Sequence, residues 1–338
     1  MGGVCGGRVL LAHGSGGKLS HELVQRNLAP RFSNPILDRM DDSAVFDVSG
    51  RLAFTTDSYV VSPLFFPGGD IGRLSVCGTV NDLAMCGARP MWLSLALIIE
   101  EGFPLEDLLR IMDSVKETAE EAGAIVVTGD TKVVNHGHAD GLFINTSGIG
   151  VVPSGVDISG SNARPGDRVI LSGSMGDHGI AIVTQREGLQ FSVPATSDCA
   201  PLNRLVADML EVSPDIRCLR DPTRGGLATS LNELAQQSRV GIRVEEDRIP
   251  VHEPVRAACE LLGFDPLYVA NEGKLIAMVS PDAVGKVVEK MRQNRLGVES
   301  VVIGEVTADH PGKVIMRTRL GASRIVDMLS GELLPRIC

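Results

Sequence analysis

The most reactive side chain near the end of this sequence is the thiol of Cys338, which follows Pro335, Arg336 and Ile337. A reactive cysteine needs access and a nearby positive charge that favours the thiolate. Arg336 supplies a positive charge close to the sulfur, and a chain end is mobile unless it is tied down. An ordinary terminal cysteine fits this pattern as well as a functional one, so the rest of the sequence must decide between them.

Four short acidic motifs in the first half of the sequence could bind a metal ion. Mg²⁺ takes oxygen ligands from several chain segments and shares its remaining positions with water and phosphates. Aspartate also caps helices and forms turns, so a single motif would mean little. The four together predict a site for Mg²⁺ and phosphate, and they are Asp41-Asp42-Ser43-Ala44, Thr56-Asp57-Ser58, Asn81-Asp82-Leu83-Ala84 and Gly129-Asp130-Thr131-Lys132.

A glycine-rich segment, His13-Gly14-Ser15-Gly16-Gly17-Lys18, precedes a predicted helix over residues 19–28. The backbone N–H groups of such a segment, together with the positive end of a helix, can bind a phosphate. Its spacing is not that of a Walker A loop, and a merely flexible segment is the alternative.

Two polar turns in the second half of the sequence could also contribute to a site. Arg224 stands beside two glycines in Asp221-Pro222-Thr223-Arg224-Gly225-Gly226, a good arrangement for holding an anion. Glu272 precedes Gly273 and Lys274 at a polar corner before a buried strand, where a carboxyl group could accept or donate a proton. Ordinary turn chemistry is the alternative for both.

Composition argues against several classes of protein. The net charge of −10, from 42 acidic and 32 basic residues, disfavours nucleic acid and anionic membranes as partners. No apolar run reaches the roughly eighteen residues of a membrane span, and the start lacks the apolar stretch of a signal peptide, which predicts a cytoplasmic protein. Seven cysteines without a Cys-x-x-Cys pair argue against a disulfide framework or a zinc site.

The elements that must position these residues form two predicted α/β halves. In the first half, the pattern predicts a buried helix over residues 70–88, a strand over 91–99 covered on both sides, and an amphipathic helix over 104–122. Residues 153–167 are rich in helix and strand breakers and form the predicted boundary. Beyond it, strands and helices alternate again as far as residue 317.

The motifs together closely resemble the HypE family of hydrogenase maturation factors. This family belongs to the superfamily of aminoimidazole ribonucleotide synthetase, thiamine-monophosphate kinase and selenophosphate synthetase. The acidic motifs are common to the superfamily and imply only the use of ATP, whereas the terminal tetrapeptide is specific to the HypE branch. The match also includes Phe65-Phe66-Pro67-Gly68-Gly69-Asp70-Ile71-Gly72, Gly176-Asp177-His178-Gly179, Asn271-Glu272-Gly273-Lys274 and Pro335-Arg336-Ile337-Cys338.

The resemblance implies two α/β domains, with N-terminal domains that pair across a homodimer into a β-barrel and help to form the ATP site. The expected division is a disordered leader over residues 1–10, an ATP- and Mg²⁺-binding domain over 11–155, a C-terminal domain over 156–320 and a mobile tail over 321–338. Only the leader, which contains Cys5, departs from the usual start of the family.

The resemblance also implies a reaction. A carbamoyltransferase, HypF, loads a carbamoyl group on the terminal sulfur. The protein then uses ATP to dehydrate this group to a thiocyanate, which supplies the cyanide ligand of a nickel-iron hydrogenase through a complex of HypC and HypD.

By this resemblance each candidate residue has an expected role. Cys338 carries the substrate, Glu272 manages protons and Lys132 stabilises the phosphate or carbamoyl group. Asp42, Asp57, Asp82 and Asp130 are expected to bind Mg²⁺ with ATP, and Gly16, Gly17, Asn81 and Arg224 to contact the nucleotide.

Two alternatives stay open at this point. The first is another ATP-using member of the superfamily, such as a selenophosphate synthetase that would use Cys5. The second is a nucleotide-binding carrier that delivers a modified tail without catalysis.

Overall fold

A computed structural model describes residues 7–15, 17–40, 43–189, 191–329, 331, 334 and 336–338 of the chain. The N-terminal half contains strands β1 Arg51–Tyr59, β2 Phe65–Phe66, β3 Gly69–Asp70, β4 Arg89–Glu100, β5 Ile125–Val134 and β6 Leu142–Val152, and helices α1 Lys18–Leu23, α2 Ile71–Met85 and α3 Leu105–Ala122. Four of the strands form a sheet in the order β1-β6-β4-β5. Strand β6 is antiparallel to both of its neighbours, and β4 is parallel to β5.

Helices α2 and α3 cover one face of this sheet. Nearly all side chains of α2 are buried, and Asp70 caps its first turn by accepting a hydrogen bond from the Arg73 N–H at 2.9 Å. Helix α3 carries Glu106 and Asp107 in its first turn and ends where Gly123 adopts a φ of 74°. The predictions of a buried helix and an amphipathic helix in this region are confirmed.

Strand β4 has one covered face and one open face. Its covered side packs into the same core as α2 and α3, through Leu93, Leu95, Leu97 and Ile99. On the other side Ile98 is exposed, and Phe54 of β1 is exposed on the same face of the sheet. The predicted strand is present, but the prediction of cover on both sides is wrong for a single chain, because the helices lie on one face only.

The C-terminal half contains strands β7 Arg168–Leu171, β8 Ile216–Arg220, β9 Gly241–Glu245, β10 Ile276–Val279, β11 Val301–Thr307, β12 Val314–Arg317 and β13 Ser323–Val326, and helices α4 Asp177–Arg186, α5 Asn203–Val212, α6 Gly226–Ser238, α7 Glu253–Leu262 and α8 Val284–Gln293. The strands form one sheet in the order β13-β12-β9-β11-β7-β10-β8. Helix α6 packs on one face, and α5 and α8 pack on the other. The predicted mixed α/β architecture in two halves is confirmed.

The two halves share a hydrophobic core, because Ile180 of α4 and Val255 of α7 belong to the same buried cluster as α2 and α3. Val9, inside the predicted leader, is also buried there, and its N–H donates to the Phe103 carbonyl at 2.8 Å. At the other end, strand β13 occupies the first part of the predicted tail, since Val326 is buried against the C-terminal sheet. No helix in the described part of the chain is long and apolar enough to cross a membrane.

Candidate active site

The described end of the chain is docked against the segment that follows β1. The Val60 N–H donates to the Cys338 carbonyl at 3.1 Å, and the Ser62 N–H donates to the Arg336 carbonyl at 3.2 Å. The order of these bonds is that of a short antiparallel pairing. The pairing brings Cys338 to the edge of the N-terminal sheet, in its own chain.

Helix α4 anchors the apolar residues of the tail. Ile337 is buried, and its carbonyl accepts a hydrogen bond from Nε2 of His178 at 2.6 Å. Burial lowers the pKa of His178, so the ring is neutral, and Nδ1 accepts from the Ser197 hydroxyl at 2.8 Å. Leu334 packs over Gly179, where a Cβ atom would lie 3.2 Å from the leucine side chain.

Two arginines hold the backbone of the tail. Arg186 donates to the Arg336 carbonyl at 2.7 Å and to the Ser62 carbonyl at 2.9 Å. Arg336 donates through Nε to the Val60 carbonyl at 3.0 Å and forms an ion pair with Asp140. The Arg336 side chain is thus engaged by groups that hold the tail in place.

The sulfur of docked Cys338 is a thiol at neutral pH. Burial, followed by the negative charge of Glu272, raises the pKa of Cys338 to about 12, and the positive charge of Arg224 opposes this only in part. The expectation that Arg336 favours a thiolate is therefore not met in the docked tail.

Glu272 is a buried carboxyl group at this site that can accept a proton. Glu272 is only 3% exposed to solvent. Burial, then the charges of Asp221 and Asp198, raise its pKa well above the ordinary range of a glutamate. A carboxylate with a raised pKa holds a proton strongly once it has accepted one.

Asp57 of β1 and Asp82 of α2 form a close carboxylate pair. Burial, then the negative charge of nearby Asp82, raises the pKa of Asp57 to about 6. Thr55 donates to Asp82 at 2.7 Å, and the Tyr59 hydroxyl donates to Asp57 at 3.4 Å. The structure thus brings Asp57 and Asp82 together, as the acidic motifs predict.

Asp221 is a member of this cluster to which sequence reasoning gave no role. It is buried directly after β8, and burial followed by the charge of Asp82 raises its pKa to about 7. The signal in the sequence was the Asp-Pro-Thr-Arg-Gly-Gly turn, in which only Arg224 was given a function. His178 was missed in the same way, because its motif has the form of an ordinary turn before a helix.

Asp130 and Lys132 lie on β5, at the opposite edge of the N-terminal sheet from β1. They pair with each other, with 2.7 Å between Lys132 Nζ and Asp130 Oδ1. Three strand spacings separate the two edges, which amounts to about 14 Å. Within one chain, the structure therefore does not bring Asp130 to Asp57 or Lys132 to Cys338.

The glycine-rich segment packs beside β5. A Cβ atom on Gly14 would lie 2.4 Å from the backbone nitrogen of Val133, and Gly17 immediately precedes α1. The following segment forms one wall of an open pocket of about 250 Å³, whose lining includes Val24, Leu28, Phe32, Ile36, Thr128 and Asp130. A pocket that combines apolar side chains with polar groups can serve as a small-molecule site.

Asn81 lies in the interface between the two halves of the chain. Its side chain is 1% exposed, and its Nδ2 donates to the carbonyls of Ala200 and Glu272 at 3.2 and 3.3 Å. Its Oδ1 accepts from the Leu202 N–H at 2.7 Å. The amide is thus engaged by main-chain groups of the protein rather than turned toward the predicted nucleotide.

The predicted metal site is only partly assembled by the described residues of one chain. Among them, no group of three or more histidine, cysteine, aspartate or glutamate side chains is arranged to hold a metal ion. Asp42 and Gly16 lie outside the described residues, so the predictions that they bind metal and nucleotide stay predictions. The Asp57–Asp82 pair nevertheless fits a divalent cation, which would offset the repulsion between the two carboxylates.

Comparison with known proteins identifies the family. Residues 40–152 match the N-terminal domain of AIR synthase related proteins, and residues 164–317 match the C-terminal domain. The chain is 57% identical to the carbamoyl dehydratase HypE of Azotobacter vinelandii over 333 residues, which cover 98% of each chain.

Solved structures agree with this result. A crystal structure of hydrogenase maturation protein HypE in complex with ATP is 50% identical, has a TM-score of 0.94 and covers 97% of this chain and 99% of that one. The HypE chain of a HypE-HypF complex is 49% identical, with a TM-score of 0.81 and coverage of 91% and 99%. The family predicted from the motifs is confirmed: the chain belongs to the HypE family of carbamoyl dehydratases.

Proposed function

We propose that this chain catalyses the ATP-dependent dehydration of an S-carbamoyl group on its own Cys338 to an S-cyanate, which serves as the source of cyanide in hydrogenase maturation. The observation that carries the proposal is the docked tail, in which the sulfur is close enough to Glu272 and Arg224 for their charges to act on its pKa. The names of the relatives, carbamoyl dehydratase and hydrogenase expression/formation protein, support the same reaction.

The proposed chemistry needs ATP because an amide oxygen is a poor leaving group. Transfer of the γ-phosphoryl group to the carbamoyl oxygen, with loss of one N–H proton, gives an O-phosphorylated intermediate. Cleavage of the C–O bond then releases phosphate as the second N–H proton leaves, and a carbon–nitrogen triple bond remains on sulfur. The products are the S-cyanate, ADP and phosphate. The ATP complex of the relative supports ATP as the phosphoryl donor.

The residues around the docked sulfur suit these steps. Glu272 accepts a proton from the carbamoyl nitrogen, and its raised pKa favours that transfer. Arg224 offsets the negative charge that gathers on the transferred phosphoryl group. The tether between substrate and site makes the encounter intramolecular.

Mg²⁺ would be held by Asp57 and Asp82, with Asp42 and Asp130 as the further predicted ligands. When bound, the ion would neutralise charge on the phosphate groups. The repulsion between Asp57 and Asp82, which contributes to the raised pKa of Asp57, supports this assignment, because a divalent cation offsets two adjacent negative charges.

A homodimer would bring the two separated groups of site residues together. Strands β1 and β5 are the edges of the sheet, so closing two such sheets into a barrel would place β5 of one subunit next to β1 of its partner. Asp130 and Lys132 of one subunit would then face Asp57 and Cys338 of the other. The pocket beside β5 would take the adenine base of ATP.

The open face of the sheet supports this dimer, and Phe54, which is 69% exposed, tests it. We expect Phe54→Asp to produce monomers, because a charge would be buried inside the barrel, and to abolish ATP-dependent dehydration, because the site would be incomplete. Leu261→Asp is a matched control, since Leu261 is 67% exposed and lies on α7 of the C-terminal half, outside the four-stranded sheet. Light scattering during size exclusion reports the mass. A monomeric Phe54→Asp protein with full activity would refute the shared site.

Loading of the sulfur would require the tail to leave the site. The docked thiol, with a pKa of about 12, is a weak nucleophile at neutral pH. The carbamoyltransferase would therefore modify a released tail, and the HypE-HypF complex of a relative supports this partner. A complex of HypC and HypD is the proposed acceptor of the cyanide.

The function is tested by the mass of the C-terminal peptide after incubation with a carbamoyl donor system. We expect a carbamoyl adduct without ATP, a cyano adduct with ATP and Mg²⁺, and only the carbamoyl adduct when a chelator removes the metal. A carbamoyl adduct that persists with ATP and Mg²⁺ would favour a carrier without catalysis. Phosphorylation of selenide that survives Cys338→Ala would favour a selenophosphate synthetase.

A further inference from the structure

The main chain of Glu272 is held by two buried polar side chains from different parts of the chain. The first is Asp198, whose side chain is 3% exposed. Its Oδ1 accepts a hydrogen bond from the Glu272 N–H at 3.0 Å, and its Oδ2 accepts from the Gly273 N–H at 3.2 Å and from Lys274 Nζ at 3.3 Å. One carboxylate thus binds three consecutive residues of the turn.

The contact between Asp198 and this turn is close. A Cβ atom on Gly273 would lie 1.8 Å from the Asp198 carbonyl oxygen, so glycine is required there by packing. Because Lys274 compensates the charge of Asp198, the buried carboxylate is stable in this position.

The second side chain is that of Asn81, which binds the carbonyl end of the Glu272–Gly273 peptide unit, whereas Asp198 binds its N–H end. Asn81 Nδ2 donates to the Glu272 carbonyl at 3.3 Å, and the Ala200 N–H donates to that carbonyl at the same distance. Asn81 is therefore the link by which α2 of the N-terminal half fixes a residue of the C-terminal half.

Helix α2 also carries Asp82, the next residue along the chain, which faces Asp57. A helix is stiff over one residue, so the position of Asn81 is fixed relative to Asp82. The carboxylate pair and the main chain of Glu272 are therefore set at one distance from each other through this helix.

We propose that Asn81 and Asp198 are positioning residues, which hold the main chain of Glu272 so that its carboxyl group meets the carbamoyl group on docked Cys338. This inference rests on the proposed function, in which Glu272 accepts a proton from the carbamoyl nitrogen. It reassigns Asn81, which the sequence predicted to contact the nucleotide, to the geometry of the proton acceptor.

The test uses full-length protein already carbamoylated on Cys338, with conversion to thiocyanate followed by intact mass in a single turnover. We expect Asp198→Asn and Asn81→Ala each to slow conversion by about 10²-fold, the loss that follows from a misplacement of roughly 1 Å. Loading of the carbamoyl group and binding of ATP should stay at parental levels. The conservative Asp198→Glu, which keeps both acceptor oxygens, should restore part of the rate.

The decisive comparison is a double-mutant cycle with Glu272→Gln. If Asn81 and Asp198 act through Glu272, neither substitution slows conversion further in the Glu272→Gln background. Losses that multiply there would overturn the inference, because the residues would then act elsewhere. Asn232→Ala is the matched control, since this buried asparagine donates to the Ala228 and Val326 carbonyls, within the C-terminal half. An equal loss in that control would mean general loosening and would also overturn it.

The same cycle separates this inference from the function on which it rests. If Glu272→Gln converts the carbamoyl group at the parental rate, Glu272 has no role in the reaction, and the positioning role of Asn81 and Asp198 is refuted with it. If Glu272→Gln converts slowly while Asp198→Asn and Asn81→Ala convert at the parental rate, only the positioning role of Asn81 and Asp198 is refuted.

Discussion

Replacing Cys338 with serine is expected to abolish both the carbamoyl and the cyano adduct. Cys77 and Cys199 also lie near Glu272, but both are buried in the core, where a carbamoyltransferase could not load them. The fold should survive, since the buried anchors of the tail are Leu334 and Ile337, and a half-buried thiol contributes little to the core. Intact mass measures the adducts, and thermal unfolding together with ATP binding measures the integrity of the fold.

The matched control is Cys86→Ser, because Cys86 is an exposed free cysteine of the described chain. That variant should form both adducts at the parental rate. An adduct on the Cys338→Ser protein would mean that another group carries the substrate, and the proposed role of the tail would be wrong.

Glu272→Gln is expected to separate loading from dehydration. The variant should still accept a carbamoyl group on Cys338, because loading occurs on a released tail, but conversion to thiocyanate should almost cease, since a neutral amide cannot accept the proton. The expected loss is about 10²- to 10⁴-fold, the usual contribution of general acid–base catalysis. Single-turnover mass analysis of the loaded protein measures it.

The pH dependence of the parent provides the companion measurement. Glu272 must be deprotonated to accept a proton, and burial and the charge of Asp221 raise its pKa. As the pH is lowered, the conversion rate should therefore begin to fall at a higher pH than it would with an ordinary glutamate. As pH rises through this pKa, the rate should rise with it. Glu272→Gln should lack this limb. The same limb in both proteins, or equal rates, would remove Glu272 from the mechanism.

The fold was predictable where side-chain burial follows a regular period. Helices α2 and α3 have clear caps and apolar patterns, and both were predicted within a few residues. Strand β1 was not predicted, because its polar Thr-Thr-Asp-Ser stretch becomes a strand only by pairing with β6. Strand β13 was missed for a related reason, since three of its four residues are exposed and its one buried side chain is Val326.

The site was predictable in its residue types and less so in its arrangement. Cys338 and Glu272 could be singled out because a terminal thiol and a carboxyl at a polar corner have a chemistry of their own. The division of the acidic residues between β1 and β5 depends on strand order, which the motifs do not encode. Asp198 lies in no recognisable motif, and its role depends on a main-chain contact with a turn 74 residues away.

Docking of the tail makes each molecule both the catalyst and the carrier of its own substrate. The tether that follows β13, residues 327–338, reaches at most about 40 Å when extended. The local concentration of sulfur at the site is then set by this tether and not by the amount of protein. Dilution that leaves the proposed dimer intact would therefore leave dehydration per molecule unchanged. Dilution would slow only the exchanges with donor and acceptor proteins. The rate of cyanide production would thus be controlled by how often the tail binds the donor and acceptor proteins. Each turnover would require the tail to leave the site once.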